Sequence, residues 1–251
     1  MDEQTWQVQR SSFGSAAGLY DRARPRYPDE AILWAIGDAR DVVDLGAGTG
    51  ILTEQVIRLG RHCTPVEPDE QMRAQCDRRL GSLGYSEVAL AGSAEAIPLP
   101  DGYAQAVVAG QAYHWFEPAK AHPEIARVLR PGGGFAPIWN IRDEAEPWVA
   151  ALTTILHSQD GTGVHAGWRW VALDDYFDGT ERAVFHHSVR HTPDSLRDLL
   201  RSRSYYITGT GDRRAMLERE LDELLRDHPD LAGRDEFDLP YVTVAYRARR
   251  R

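Results

Sequence analysis

Through its first 140 residues the chain alternates short apolar runs with segments of helical length, and this alternation constrains the fold more than any other feature. "DVVDLG" (41–46), "HCTPVE" (62–67), "SEVALAG" (86–92), "AQAVVAG" (104–110) and "GGGFAPIWN" (132–140) read as strands. Between them, "GILTEQVIRLG" (50–60) and "DEQMRAQCDRRL" (69–80) read as helices, closed by Gly60 and ending before Gly81. "PAKAHPEIARVLR" (118–130) is a third helix, with Pro123 in its first turns or kinking it. Strands spaced by helices of this length make a parallel sheet with helices on both faces, which is a doubly wound α/β fold.

The pattern changes after about residue 142. Residues 143–159 look helical, and an irregular, aromatic-rich stretch follows to about 180. "ERAVFHHSVRHT" (181–192) reads as a strand, 193–207 and 212–228 as helices, and "YVTVAYRAR" (241–249) as a final strand. A length of 251 residues suits one sizeable domain, 1–251. Its expected parts are N-terminal lid helices (1–40), a cofactor-binding core (41–140), an acceptor-side insertion (141–180) and C-terminal strands and helices (181–251).

Charge and cysteine usage narrow the partners. The formal net charge is −9, which opposes a phosphate backbone and argues against nucleic acid as a partner. The exception, "RARPRY" (22–27), is too short for a nucleic-acid footprint. No run of about 18 apolar residues is present, so no membrane partner is expected. Acidic residues open the N-terminus where a signal peptide would carry positive charge. Cys63 and Cys76 are too few for a disulfide framework or a zinc site, so no metal and a cytoplasmic setting are expected.

"VVDLGAGTG" (42–50) joins the first strand to the first helix and sets the cofactor question. A dinucleotide fingerprint would place its third glycine at 51, where this chain has Ile51. No Gly-Lys-Ser/Thr follows, so it is no phosphate loop either. Asp44 precedes Gly46, Gly48 and Gly50 and directs a carboxylate toward the turn, which suits a cationic cofactor better than a pyrophosphate. Glu67 ends the next strand and can accept hydrogen bonds from both ribose hydroxyls. A ribose, a positive charge and no phosphate describe S-adenosylmethionine, with S-adenosylhomocysteine as its product. A tight turn holding no ligand is the alternative.

These segments resemble the motifs of class I S-adenosylmethionine-dependent methyltransferases. "VVDLGAGTG" resembles the first, "PVEPDEQM" the second, "GSAEAIPLPDG" (92–102) the third, "VVAGQAYHWF" (107–116) the fourth and "RVLRPGGGF" (127–135) the turn before strand five. "FGSAAGLYDRARPRYP" (13–28) is similar to a subgroup, methyltransferase type 11, that includes enzymes of the trans-aconitate type. The likeness is strong over 13–140 and weaker beyond. It implies a Rossmann-like sheet of seven strands, mostly parallel with the last antiparallel, and an accessory insertion after strand five.

The resemblance also implies roles. Gly46 and Gly48 let the backbone approach the donor's methionine part, Thr49 and Gly50 open the helix at the cofactor site, and Glu67 takes the ribose. Pro68 packs on the adenine, as does Met72 unless it is plain core. Ser93, Ala94 and Glu95 meet the adenine edge, with either the Ser93 hydroxyl or the Glu95 carboxylate replacing the acidic residue usual at 93. Tyr20 and Arg24 bind the methionine carboxylate, Phe13 and Tyr27 close over the site, and Gln111 faces the sulfonium or the acceptor. His114 is the candidate base, or else a structural histidine. Tyr27, His114, Trp115, Trp139 and Trp168 are the candidate acceptor contacts. The acceptor is expected to be a small molecule, methylated on O, N or a carboxylate by in-line displacement, and the protein a monomer or homodimer. A non-catalytic S-adenosylmethionine-binding protein and an RNA methyltransferase are the alternatives.

Overall fold

In a computed structural model, residues 24–86, 88–157 and 175–251 are described below. Seven strands form one sheet: β1 (Asp41–Leu45), β2 (His62–Glu67), β3 (Leu90–Ala91), β4 (Ala104–Gly110), β5 (Leu129–Arg142), β6 (Phe177–His191) and β7 (Phe237–Arg250). Their order is β3-β2-β1-β4-β5-β7-β6. Pairings from β3 through β5 are parallel, while β5–β7 and β7–β6 are antiparallel, as expected for a reversed last strand. Helices α1 (Asp29–Ile36), α2 (Ile51–Arg58), α3 (Glu70–Ser82) and α4 (Pro118–Val128) accompany the parallel half. Helices α5 (Pro147–His157), α6 (Pro193–Arg201), α7 (Ser204–Ile207) and α8 (Gly211–Asp227) follow.

Several boundaries differ from the sequence reading for physical reasons. The third strand shrinks from 86–92 to Leu90–Ala91, because this edge element pairs only with Val66 and Glu67 of β2. The "RPGGG" stretch lies inside β5. While β4 advances from Ala104 to Ala106, β5 advances from Leu129 to Gly134, so the glycines form a bulge within the strand. Helix α3 continues through Gly81, and α4 through Pro123. The helix expected over 193–207 breaks at Ser202–Arg203, where the buried Ser202 hydroxyl donates to the Leu199 carbonyl.

The chain divides into two compact units. The described part of the first comprises 26–140, 175–185 and 243–251; that of the second comprises 24–25, 141–157 and 186–242. In the first, Val42, Cys63, Ala106, Val108, Ala136 and Ile138 of the strands pack with Ile32 and Ile36 of α1 and Leu52 and Val56 of α2. Four consecutive residues of β1 are buried, which is why the strands read as continuous apolar runs. In the second, Leu152 and Leu156 of α5, Leu196 and Leu200 of α6, and Leu217, Leu221 and Leu225 of α8 form a leucine core. Their spacing of four places them on one face of each helix. No helix among the described residues is long and apolar enough to cross a membrane.

Candidate functional site

The site is built where β1 gives way to α2. Apolar side chains bury β1 up to Leu45, and three glycines with positive φ (73° at Gly46, 57° at Gly48, 81° at Gly50) then turn the chain sharply. Gly46 and Ala47 donate their N–H groups to the Val66 carbonyl of β2, at 2.8 and 3.1 Å, fixing the loop against the neighbouring strand end. The glycines have different reasons. A Cβ on Gly46 would meet Ala112 Cβ at 2.7 Å, and one on Gly50 would meet Cys76 Sγ at 2.6 Å. Among the described residues a Cβ on Gly48 would meet nothing within 4 Å, so Gly48 borders space that none of them fills.

Glu67 stands beside that space. It is 7% exposed, and its two carboxylate oxygens accept separately from the Gly48 and Asp69 N–H groups, each at 2.9 Å. These bonds aim the carboxylate and leave each oxygen a lone pair for a further donor. Burial pushes its pKa up, opposed by the two N–H donors. Asp44 lies deeper. Its Oδ2 accepts from the Thr53 hydroxyl at 2.6 Å, while its buried Oδ1 has no hydrogen-bond partner among the described residues. Burial, together with the nearby Glu67 charge, raises its pKa to about 7 despite the Thr53 bond. An orphaned carboxylate oxygen, a second aimed carboxylate and open space over a glycine backbone fit a ribose-bearing cation.

The remaining candidates take varied places. Thr49 is buried, and its carbonyl accepts from Arg79 Nε at 3.0 Å. Pro68 is exposed, whereas Met72 is 5% exposed, and the Met72 N–H is capped by Asp69 Oδ1. Ser93 and Ala96 form an isolated bridge, and the Ser93 hydroxyl accepts from the Glu95 N–H at 3.3 Å. Ala94 is buried, and Glu95 accepts from the Glu117 N–H at 2.9 Å with one oxygen. Among the described residues Gln111 alone combines a side chain with positive φ, at 54°. Its Nε2 donates to the Asn140 carbonyl at 2.8 Å, and such strain collects at functional positions.

His114 is exposed on a 3₁₀ turn, Tyr113–Trp115, with its ring 4.9 Å from that of Trp115. Tyr27 is buried against Gly110, its backbone locked to Gln55 by two bonds of 3.0 and 2.7 Å. Trp139 is 2% exposed and packs edge-on against Tyr113 and Tyr246, inside the aromatic core. Arg24 sits in a bend before Pro25 and belongs to the second unit. Phe13, Tyr20 and Trp168 lie outside the described residues.

Three features escaped the sequence reading. Asn140, at the end of the fifth apolar run, donates to the Arg26 carbonyl at 3.1 Å and accepts from the Thr243 hydroxyl at 2.5 Å. Glu54, 2% exposed on α2, holds Arg26, Arg58 and Arg79, so the glycine loop and α3 are tied through one buried carboxylate. Tyr113 hydrogen-bonds the buried His122 at 3.0 Å, and burial pushes its hydroxyl up to about 12. Thr53 and Glu54 carried a faint signal as polar residues on the buried side of an amphipathic helix.

The strand order, the reversed β7 and the glycine loop leaving β1 define the class I methyltransferase fold. A proposed type II methyltransferase from Anaeromyxobacter dehalogenans shares it, with a TM-score of 0.64 at 24% identity, over 90% of this chain and 97% of that one. A geranyl diphosphate methyltransferase solved in complex with SAM has a TM-score of 0.50 at 16% identity, over 89% and 84%. A sequence profile described as a methyltransferase domain matches residues 43–136. A protein named an uncharacterized methyltransferase of Mycobacterium tuberculosis is 44% identical over 238 residues, covering 94% of this chain and 95% of its own. The chain belongs to the methyltransferase family.

Proposed function

We propose that this methyltransferase uses S-adenosylmethionine as methyl donor and acts on a small-molecule acceptor. The observation that carries the reading is the Glu67 carboxylate, aimed by the Gly48 and Asp69 N–H groups beside the open face of Gly48. That arrangement offers a ribose diol two acceptors and lets the loop backbone approach the donor closely. The relative solved with SAM gives the same donor a precedent on this fold. When bound, S-adenosylmethionine supplies a methyl group already activated on a positive sulfur.

The chain's own residues then hold and align. Asp44 Oδ1 sets negative charge behind the loop, Glu67 accepts from the ribose, and Met72 and Ala94 form apolar surface for the adenine. Arg24 and Tyr20 are proposed for the methionine carboxylate, with Phe13 as a cover. Gln111, held by Asn140, marks the acceptor side with His114 and Trp115, and Trp168 is proposed for the same wall. Alignment is the main source of rate in such a displacement. His114 removes a proton where the acceptor carries one, and a carboxylate acceptor requires no base.

The reading is tested by incubating the protein with S-adenosylmethionine and a panel of small acids, phenols, alcohols and amines. Accumulation of S-adenosylhomocysteine with a subset of them is expected. Binding of the donor with no turnover on any class would favour a non-catalytic binding protein.

A further inference from the structure

Gln111 leaves β4 in left-handed backbone, with φ at 54°, where a long side chain is strained and glycine or asparagine would sit at lower cost. Gly110 just before it is glycine for a packing reason: a Cβ there would lie 2.9 Å from the Tyr27 hydroxyl oxygen and 3.0 Å from Leu52 Cδ2. The turn itself falls on Gln111, whose N–H donates to the Ile138 carbonyl at 2.9 Å. Strain of this kind persists where the side chain has a task.

The amide of Gln111 can face only one way. Its Nε2 donates at 2.8 Å to the backbone carbonyl of Asn140, which carries no hydrogen and can only accept. Asn140 is itself fixed, because its side chain donates to the Arg26 carbonyl at 3.1 Å and accepts from the Thr243 hydroxyl at 2.5 Å. Turning the amide over would set two oxygens against each other, so Oε1 points away from Asn140. Gln111 is half-buried; its Oε1 bonds to none of the described residues and is not sealed from solvent. All these residues belong to the first unit.

This oxygen lies next to the glycine loop. Ala112, the following residue, is the one that a Cβ on Gly46 would meet at 2.7 Å, and β4 pairs with β1 so that Val108 stands beside Asp44. Asp44 and Glu67 add carboxylates on the strands alongside. A fixed amide oxygen near two carboxylates attracts a hydrogen-bond donor and disfavours an oxyanion.

We propose that Gln111 Oε1 accepts a hydrogen bond from the atom to be methylated, so that the methyl acceptor is a hydroxyl or an amine and not a carboxylate. The proposal rests on the donor reading above. A hydrogen held by Gln111 leaves the acceptor's lone pair to be turned toward the methyl group, which is alignment of the kind such a reaction needs. Transfer forms a bond from that oxygen or nitrogen to the methyl carbon, breaks the methyl–sulfur bond with its electrons going to sulfur, and releases the acceptor's hydrogen as a proton. An amide is too weak a base to take the proton, so Gln111 orients the acceptor and the proton passes to His114 or water.

The test uses the full chain saturated with S-adenosylhomocysteine, which fills the donor site without reacting. Two matched sets are titrated by calorimetry: benzyl alcohol, benzylamine and benzoate, then hexanol, hexylamine and hexanoate. At least one alcohol or amine is expected to bind, and more tightly than the carboxylate of its own set. Gln111→Gly releases the left-handed strain, so it should melt close to wild type and bind S-adenosylhomocysteine equally well. It should bind that alcohol or amine about three- to tenfold more weakly, the weight of one neutral hydrogen bond. Gln111→Asn tolerates the backbone but carries its amide one carbon short, and should show the same loss.

Tighter binding of the carboxylate in both sets, binding of none of the six compounds, or unchanged alcohol and amine affinity in both variants overturns the proposal. Weaker S-adenosylmethionine binding in the variants with acceptor affinity intact assigns the oxygen to the sulfonium and overturns it as well. Failure of wild-type protein to bind S-adenosylhomocysteine removes the donor reading and this proposal together, whereas any of the earlier results with that nucleoside bound removes the proposal alone.

Discussion

Gly48→Ala separates two reasons for a glycine in the loop: backbone conformation and close approach by a ligand. Gly48 and Gly50 both have positive φ, 57° and 81°. Left-handed backbone costs an alanine about 1–2 kcal/mol at either position. At Gly50 the new methyl would also meet the Cys76 sulfur at 2.6 Å and the Cys76 Cα at 3.4 Å, whereas at Gly48 it meets none of the described residues within 4 Å. Overpacking of that kind adds about 1–3 kcal/mol. In a chain of this size each kcal/mol is worth roughly 2–4 °C in Tm. Gly48→Ala should therefore melt about 2–8 °C below wild type, and Gly50→Ala clearly lower still. If the space over Gly48 seats the donor, the same methyl collides with the ligand instead of the protein. An overpacking cost of about 1–3 kcal/mol is then roughly a 5- to 150-fold loss of S-adenosylhomocysteine affinity. Thermal melts of the two variants and titration calorimetry of Gly48→Ala read both effects. A folded Gly48→Ala protein that binds like wild type would refute the seat.

Other expectations follow from the two carboxylates and the exposed histidine. Asp44 has a folded pKa of about 7, above its ordinary 3.8, so the folded state binds an extra proton between those values. The stability this gives is complete below the ordinary value and is lost as pH rises through about 7. Asp44→Asn should thus flatten the pH–stability curve over that range, seen in melts across pH. A bound cation favours ionised Asp44, so S-adenosylmethionine affinity should rise with pH through about 7 more steeply than that of its uncharged-sulfur product, and not in Asp44→Asn. Glu67→Ala should weaken nucleoside binding by about 1.5–3 kcal/mol in titration, with unchanged affinity refuting the ribose role. His114→Ala should lower turnover on a proton-bearing acceptor by about 10²–10⁴-fold and spare donor affinity, whereas an unaltered rate would demote His114 to a surface residue.

What was legible in the sequence follows from what is local. The β1 run, the glycine turn and Glu67 are near neighbours in the chain, and their patterning carried the parallel half of the sheet and the loop. The third strand was overdrawn because periodicity does not register that an edge strand has only one neighbour. The glycines 132–134 looked like a turn, since a bulge and a turn use the same residue type. Asn140 stayed hidden because its partners Arg26 and Thr243 lie far away in the chain. The same is true of Glu54 with Arg26 and Arg79. Long-range polar networks leave no periodic trace, and only the fold assembles them.

Titration of the purified wild-type chain with S-adenosylhomocysteine, followed by heat and by melting temperature, bears most directly on the central claim. Saturable one-to-one binding and a rise in Tm that grows with ligand concentration are expected. No heat and no shift from folded protein at near-millimolar ligand would contradict the claim that Glu67 and the loop around Gly48 seat a sulfonium nucleoside.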